Sequence, residues 1–282
     1  MKTHHNNTIL LILAFVFFSM FRFNAVIKES VIASSNLWFT ALVPSMMPMY
    51  AITDLLMNYG LANVFYKIFK NNRAILIFIS MILGTPANAK YIREFYKTGY
   101  IELDEASYLL SFAYSPNPLF ILGIAPSKKI ALITLFTIYA TNAIIALFNR
   151  KNLIAHQSTF KTFKAKEFTE CLEDSIKKSF EILVLVYGIV VVYGIINSLI
   201  EVYIPNVGFF LRSILEISNA LGYISSMSKS FHKWMIVASL FGGLSIHTQI
   251  KSIICDTEIP FKNFFISRLF ATCIGTIVCL FL

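Results

Sequence analysis

The sequence predicts an all-α polytopic membrane protein made of inverted repeats, each containing a re-entrant helical hairpin. Three observations carry that prediction. Of 282 residues, 57% are hydrophobic and only 14% charged, and mean hydropathy is +0.69, whereas soluble domains hold roughly 25% charged residues. The net charge of +9 is spread between apolar segments and not gathered in one run. This is the pattern of juxtamembrane lysines and arginines, so the expected partner is a lipid bilayer and not nucleic acid. Finally, two apolar runs, in 75–97 and 237–256, stop at small residues and continue as more polar helix formers. Ten helical residues rise about 15 Å, half of a ~30 Å hydrocarbon core. Each run is therefore predicted to enter the membrane, turn near mid-depth and leave by the side it came from. Such a turn frees backbone groups that lipid cannot satisfy, so it must lie inside protein or against a watery cavity. Paired interrupted segments in two halves also point to a transporter's binding site.

Taken in order, residues 1–30 are predicted to form an N-terminal transmembrane helix. Its apolar run 8–21 is followed by no A-x-A-type cleavage site, so it is expected to be retained, with His4 and His5 solvated. A first repeat is assigned to 31–148. Its span 31–59 carries Pro44 and Pro48, which bend a helix by removing donors, and places Asp54 near an interface. Lys67, Lys70 and Arg73 then form an acid-free link, which predicts the cytoplasm. After the hairpin at 75–97, the segment 104–124 is broken by Ser115-Pro116-Asn117-Pro118, since two prolines two apart abolish donors and push their neighbours to extended geometry. A span over 130–148 closes the repeat. The basic connection 149–178 is expected on the cytoplasmic side, with FKAKEFTECLEDSIKKSF as a surface helix. A second repeat, 179–282, is predicted to contain a span at 179–200, a non-spanning stretch with EISNALG, a hairpin at 232–256 and a last helix from 259.

Aligning Gly84 with Gly243 places Pro86 opposite Ser245, Asn88 opposite His247 and Lys90 opposite Gln249. With the N-terminus inside, the first hairpin dips from the cytoplasm and the second from the opposite face.

The candidate substrate-binding residues sit at these interruptions: Gly84, Thr85, Pro86, Asn88 and Lys90, then Ser115 and Asn117, then Glu216 and Asn219, and finally Gly243, Ser245, His247 and Gln249. The second arm of each hairpin would start at mid-depth, with free N–H groups and a positive dipole end facing the cavity, which suits an anion. Lys90 either pairs with a carboxylate, on the substrate or on Glu216, or reaches back to the cytoplasmic surface. Arg268 is expected to pair with an acid such as Glu216. His247 either titrates in proton coupling or holds the turn by a hydrogen bond. The chain shows no HExxH, GxSxG or Walker loop, and Cys171, Cys255, Cys273 and Cys279 lack metal-ligand spacing. No enzyme, metal or cofactor is expected.

The order WFTALVPSMMPMYAITDLL, then GTPANAKYIREFYKTGYIELDEASYLLSFAYSPNPLFILG, then EISNA and GGLSIHTQIKSIICDTEIPFKNFFISRLF resembles the YlbJ-like (SpoVV-type) sporulation integral membrane proteins of the nucleoside-recognition, or gate, domain group. The resemblance covers most of 31–282. It implies passage of a small molecule across a cell membrane, including a forespore membrane, with dipicolinic acid as the substrate suggested for the sporulation branch. Alternatives are a nucleoside or other small-solute transporter and a non-transporting scaffold or accessory protein. A homo-oligomer is compatible with either.

Overall fold

The computed structural model describes residues 2–71, 73–149, 167–205 and 209–282, with only the backbone of 2–6 and 209. Most of the basic connection (150–166), Asn206 and the side chains of His4 and His5 thus lie outside the described residues. The described chain is helical throughout: α1 (Lys2–Arg22), α2 (Asn24–Leu37), α3 (Val43–Asn58), α4 (Leu61–Phe69), α5 (Arg73–Leu83), α6 (Ala87–Lys97), α7 (Leu103–Phe112), α8 (Pro118–Ile124), α9 (Lys128–Phe148), α10 (Phe168–Tyr203), α11 (Phe209–Leu215), α12 (Ile217–Ser226), α13 (Trp234–Phe241), α14 (Gly243–Ile254) and α15 (Phe261–Phe281). Among the described residues, four segments, 24–58, 128–148, 168–203 and 261–281, are long and apolar enough to cross a membrane.

Two long rods form one side of the bundle. The first joins α2 and α3 through a π-helical turn at Trp38–Leu42, with Pro44 in the first turn of α3 and Pro48 inside it. A proline lacks the donor that an α-turn requires, and the wider π-turn absorbs the mismatch. This rod is 35 residues long and starts at Asn24, so the helix boundary expected at residue 30 lies inside it. The second rod is α10. FTECLEDSIKK forms its first turns and is not a separate surface helix, because Cys171 and Ser175 are buried where α10 faces α3. The rods are antiparallel: Ser175 Oγ donates to Asp54 (2.8 Å), Trp38 Nε1 donates to Leu183 O (3.0 Å), and Ser35 meets Tyr187 Oη at 2.8 Å.

Contacts fix the direction of the remaining helices. Arg73, at the start of α5, is 2.9 Å from Glu105 in the first turn of α7. At the other end of α5, Asn117 Nδ2 donates to Leu83 O (3.1 Å). α5 thus runs beside α7 and the extended residues after it. α6 packs on both α5 and α7. It sets out from Asn88, bonded to Ala113 O, and ends at Lys97, just before the link to Leu103. α9 is antiparallel to α7, with Tyr108 Oη on Ala146 O at 3.0 Å. α15 is parallel to α7, with Asn263 Nδ2 on Ser107 Oγ at 2.8 Å.

The segment expected to form the second hairpin behaves differently. Lys233, just before α13, takes a hydrogen bond from Cys279 at the end of α15 (3.0 Å). A Cβ on Gly275 would lie 2.5 Å from Leu240, and the His247 ring in α14 packs on Phe264 (5.1 Å) and Phe261 (6.0 Å) at the start of α15. Along 233–254 the neighbours on α15 descend steadily, so α13 and α14 form one interrupted helix that does not fold back at 237–256. The physical reason is the length of the interruption. Only Gly242 and Gly243 leave helical geometry, both at positive φ (86° and 68°), and α14 starts at once. The chain returns on itself earlier, around Glu216: Phe210 of α11 meets Trp234 edge to face (5.2 Å), Leu215 and Ile217 lie against Gly243, and α12 leads back to α13.

Candidate functional site

Four interruptions meet in the interior, and each is satisfied by nearby polar groups, as buried backbone requires. At Gly84 (φ 72°) a Cβ would sit 2.5 Å from Asn117 N and 2.7 Å from Pro116 C, so two backbones meet where no side chain fits. Thr85 N donates to Ser115 O (2.6 Å). Asn117, fully buried, serves both strands of the crossing. Its Nδ2 holds Leu83 O, and its Oδ1 accepts from Leu119 N (2.9 Å) and Phe120 N (3.1 Å), capping α8. The amides of Asn88 and Asn142 take Ala113 O and Tyr114 O. Side-chain amides thus supply the donors that Pro116 and Pro118 cannot.

The second crossing uses a charge. Glu216 is fully buried, and its carboxylate accepts from Ser218 N (2.8 Å) and Asn219 N (2.6 Å). It caps α12, placing a negative group at the positive end of a helix. Gly243 lies against this turn, with space for a Cβ only 3.1 Å from Ile217 N. Tyr114 ties the crossings together: its hydroxyl donates to Ser239 O (2.8 Å) and fills the place where a Cβ on Gly242 would be, 2.5 Å away.

The structure therefore brings Gly84, Thr85, Pro86, Asn88, Ser115 and Asn117 into one cluster, and Glu216 and Gly243 into a second. The cap also engages the backbone of Asn219, whose side chain is half-buried. His247 Nε2 meets Phe241 O (3.1 Å) amid Phe261, Phe264 and Phe265, the turn-holding arrangement. Ser245 and Gln249 are buried, and Ser245 Oγ and Gln249 Oε1 have no hydrogen-bond partner among the described residues. Lys90 lies apart from both crossings. It is half-buried beside Asp54, Tyr91 and Lys178, where α6 meets the two rods. Glu216 pairs with neither Lys90, which lies at the rods, nor Arg268; its two oxygens face the amides at the head of α12. Arg268 instead reaches Ser111 O (3.1 Å) and Asn142 Oδ1 (3.3 Å) and lies 4.6 Å from the Tyr114 ring centre.

Three residues absent from the sequence-predicted site matter here. Tyr114 bridges the crossings, and Asn142 holds the Tyr114 carbonyl. Asp54, expected at an interface, is buried and accepts from Ser175, Asn58 (3.2 Å) and Lys178 (3.3 Å). The run AYSPNP at 113–118 points to the prolines and not to the tyrosine before them, and a lone asparagine in the apolar run 128–148 is the available signal for Asn142.

Long apolar helices, lipid-exposed side chains such as Phe136 (75%) and Phe281 (88%), and buried polar crossings define an integral polytopic α-helical membrane protein. Comparison with known proteins agrees. The chain is a distant homologue of the sporulation integral membrane protein YlbJ of Bacillus subtilis (strain 168), at 23% identity over 297 aligned positions, covering 83% of this chain and 72% of that protein. No family model and no solved structure matches.

Proposed function

We propose that the protein is a membrane transporter for a small anionic molecule, a dicarboxylate of the dipicolinic acid kind, held where the two crossings meet. The observation that carries the reading is the convergence of four chain interruptions, with Thr85, Asn88, Ser115, Asn117 and Glu216 all at most 2% exposed, in a protein whose outer helices suit lipid. Backbone that leaves the helix inside a membrane is tolerated where protein buries it or where it lines a cavity, and transporters build their binding sites on such broken helices.

In this reading the halves are inverted repeats with revised boundaries. α5 and α6 form one re-entrant hairpin and α11 and α12 the other. α7 with α8, and α13 with α14, are the broken helices that cross beside them. The 21-residue α9 and α15 and the two rods complete each half. The contacts support this reciprocally: Gly84 of a hairpin turn packs on the break at Pro116 and Asn117, and Gly243 of a break packs on the hairpin turn at Leu215 and Ile217. Arg93, Lys97 and Lys251 fall at the end where α10 begins, and this gathering of cations supports that end as the cytoplasmic face. Similarity to a sporulation integral membrane protein supports a setting in sporulation.

Two measurements test the proposal. Protein reconstituted in liposomes is expected to take up dipicolinate, and a correctly inserted protein that moves no dicarboxylate or nucleoside would favour the scaffold reading. In a cysteine-free background, Lys97→Cys and Glu258→Cys are expected to react with an impermeant maleimide from one face and Lys229→Cys from the other. Labelling of Lys229→Cys and Glu258→Cys from the same face would remove the crossing of α13 and α14.

A further inference from the structure

Arg268 is the largest fully buried side chain in the described structure, at 0% exposure, and it lies in the middle of a spanning helix. A buried charge is costly unless it is paired. Its Nη2 has two acceptors, Ser111 O and Asn142 Oδ1, and the rings of Tyr114 (4.6 Å) and Phe264 (5.7 Å) flank the guanidinium. Nε and Nη1 have no partner among the described residues. A guanidinium carries five donors, so more than one neutral carbonyl and one amide is needed to satisfy it. No carboxylate does so. Every Asp and Glu of the chain lies within the described residues, and none pairs with Arg268.

A cavity borders each of its two acceptors, while Arg268 itself lies behind them and lines neither. One of about 360 Å³, lined by Ser107, Ser111, Asn149, Asn263 and Ser267, opens at the end where α7 and α15 begin. A second, of about 190 Å³, is bordered by Tyr114, Ser115 and Asn142 beside the first crossing. Ser111, which accepts from Arg268, lines the first cavity, and Asn142, its other acceptor, lines the second.

We propose that Arg268 is the charge-reading residue of the transport site: a carboxylate entering through the hydroxyl- and amide-lined cavity becomes the missing counter-ion of the guanidinium. This rests on the transport reading above and deepens it, replacing Lys90 with Arg268 as the cation that selects an anion. Tyr114 and Asn142 then link anion binding to the two crossings, since each contacts Arg268 and a broken backbone.

The test compares wild type, Arg268→Lys and Arg268→Gln in proteoliposomes, using dipicolinate, its uncharged diamide and a nucleoside as probes. A charged hydrogen bond lost from a buried site weakens binding by about 10- to 100-fold. Arg268→Gln is expected to lose dipicolinate uptake by that factor, with Arg268→Lys intermediate and any uptake of the uncharged probes unchanged. Dipicolinate uptake by Arg268→Gln at the wild-type rate overturns the proposal while leaving the transport reading intact. Should the variants fail to insert, thermal stabilisation of the wild-type protein decides. Dipicolinate is expected to raise its melting temperature and the diamide is not; equal shifts from both overturn the proposal. Wild-type protein that neither binds nor moves any of the three probes overturns the transport reading and this proposal together.

Discussion

Residues 73–97 and 234–254 look alike in sequence: an apolar helix, a small-residue interruption, then a helix with polar positions ending in charge. Their neighbours differ. The first segment sets out from Glu105 of α7, reaches Asn117, and comes back to the link before α7. The second passes α15 from Cys279 to Phe261 without reversing. In the first, Gly84, Thr85 and Pro86 all leave helical geometry, and Thr85 N is spent on Ser115 O, outside its own segment. In the second, two glycines bend the chain and Gly242 N still bonds back to Ala238 O (2.9 Å). Which residues are small matters less than how many leave the helix and where their hydrogen bonds go.

The largest expected effect separates the two glycines. Gly84→Ala meets backbone at 2.5 Å in a left-handed conformation, and backbone cannot step aside; the cost is on the order of 3 kcal/mol or more. Gly242→Ala also requires positive φ, but its obstacle is the Tyr114 hydroxyl, so about 1–3 kcal/mol is expected. Tyr114→Phe removes that obstacle. Combined with Gly242→Ala it should recover part of the loss, while the same change should do nothing for Gly84→Ala. Thermal unfolding in detergent measures the three single variants and the two double variants. Equal rescue of both glycine variants would mean the crossings are not built on different walls.

A smaller contrast lies in the caps. Asn117→Ala removes the cap of α8 and the donor to Leu83 O together, for about 2–3 kcal/mol. Glu216→Gln keeps an acceptor for the head of α12 and should cost less than about 1 kcal/mol, whereas Glu216→Ala should cost about 1–2 kcal/mol. If Glu216→Gln proves as damaging as Asn117→Ala, the charge of Glu216 serves something beyond the cap.

Composition alone was enough to identify a helical membrane protein, and Pro116 and Pro118 were enough to place the first break, because a missing donor is written in the residue itself. Direction after a break was not legible. Gly242 and Gly243 announce a bend, but its course depends on Leu240 and Ile236 meeting Gly275, contacts far apart in sequence. The turn at Glu216 is hidden in the sequence for the opposite reason: a single residue leaves the helix, and the carboxylate that caps it looks like a candidate ion-pair partner. Lys90 was placed by its spacing from Gly84, yet one and a half turns of α6 carry it out to Asp54 and Lys178.

The smallest expected effect bears on where the two segments end. Asp256, just beyond α14, pairs with Arg93 and Lys97 near the end of α6, so it marks the face at which both segments finish. Those cations hold its carboxyl well below the usual carboxylate range. A carboxyl depressed in the folded state contributes stability above its unfolded value, about 4, and loses that contribution as pH falls through the lower folded value. Asp256→Asn should therefore lower the melting temperature slightly near neutral pH, with the gap to wild type closing as pH drops below about 4. The Asp256 side chain is 42% exposed, so solvent and salt screen the attraction, and raising salt should shrink the gap at neutral pH as well. A gap that persists at acid pH and in high salt would show that Asp256 acts through something other than Arg93 and Lys97, and the shared face of α6 and α14 would lose its electrostatic support.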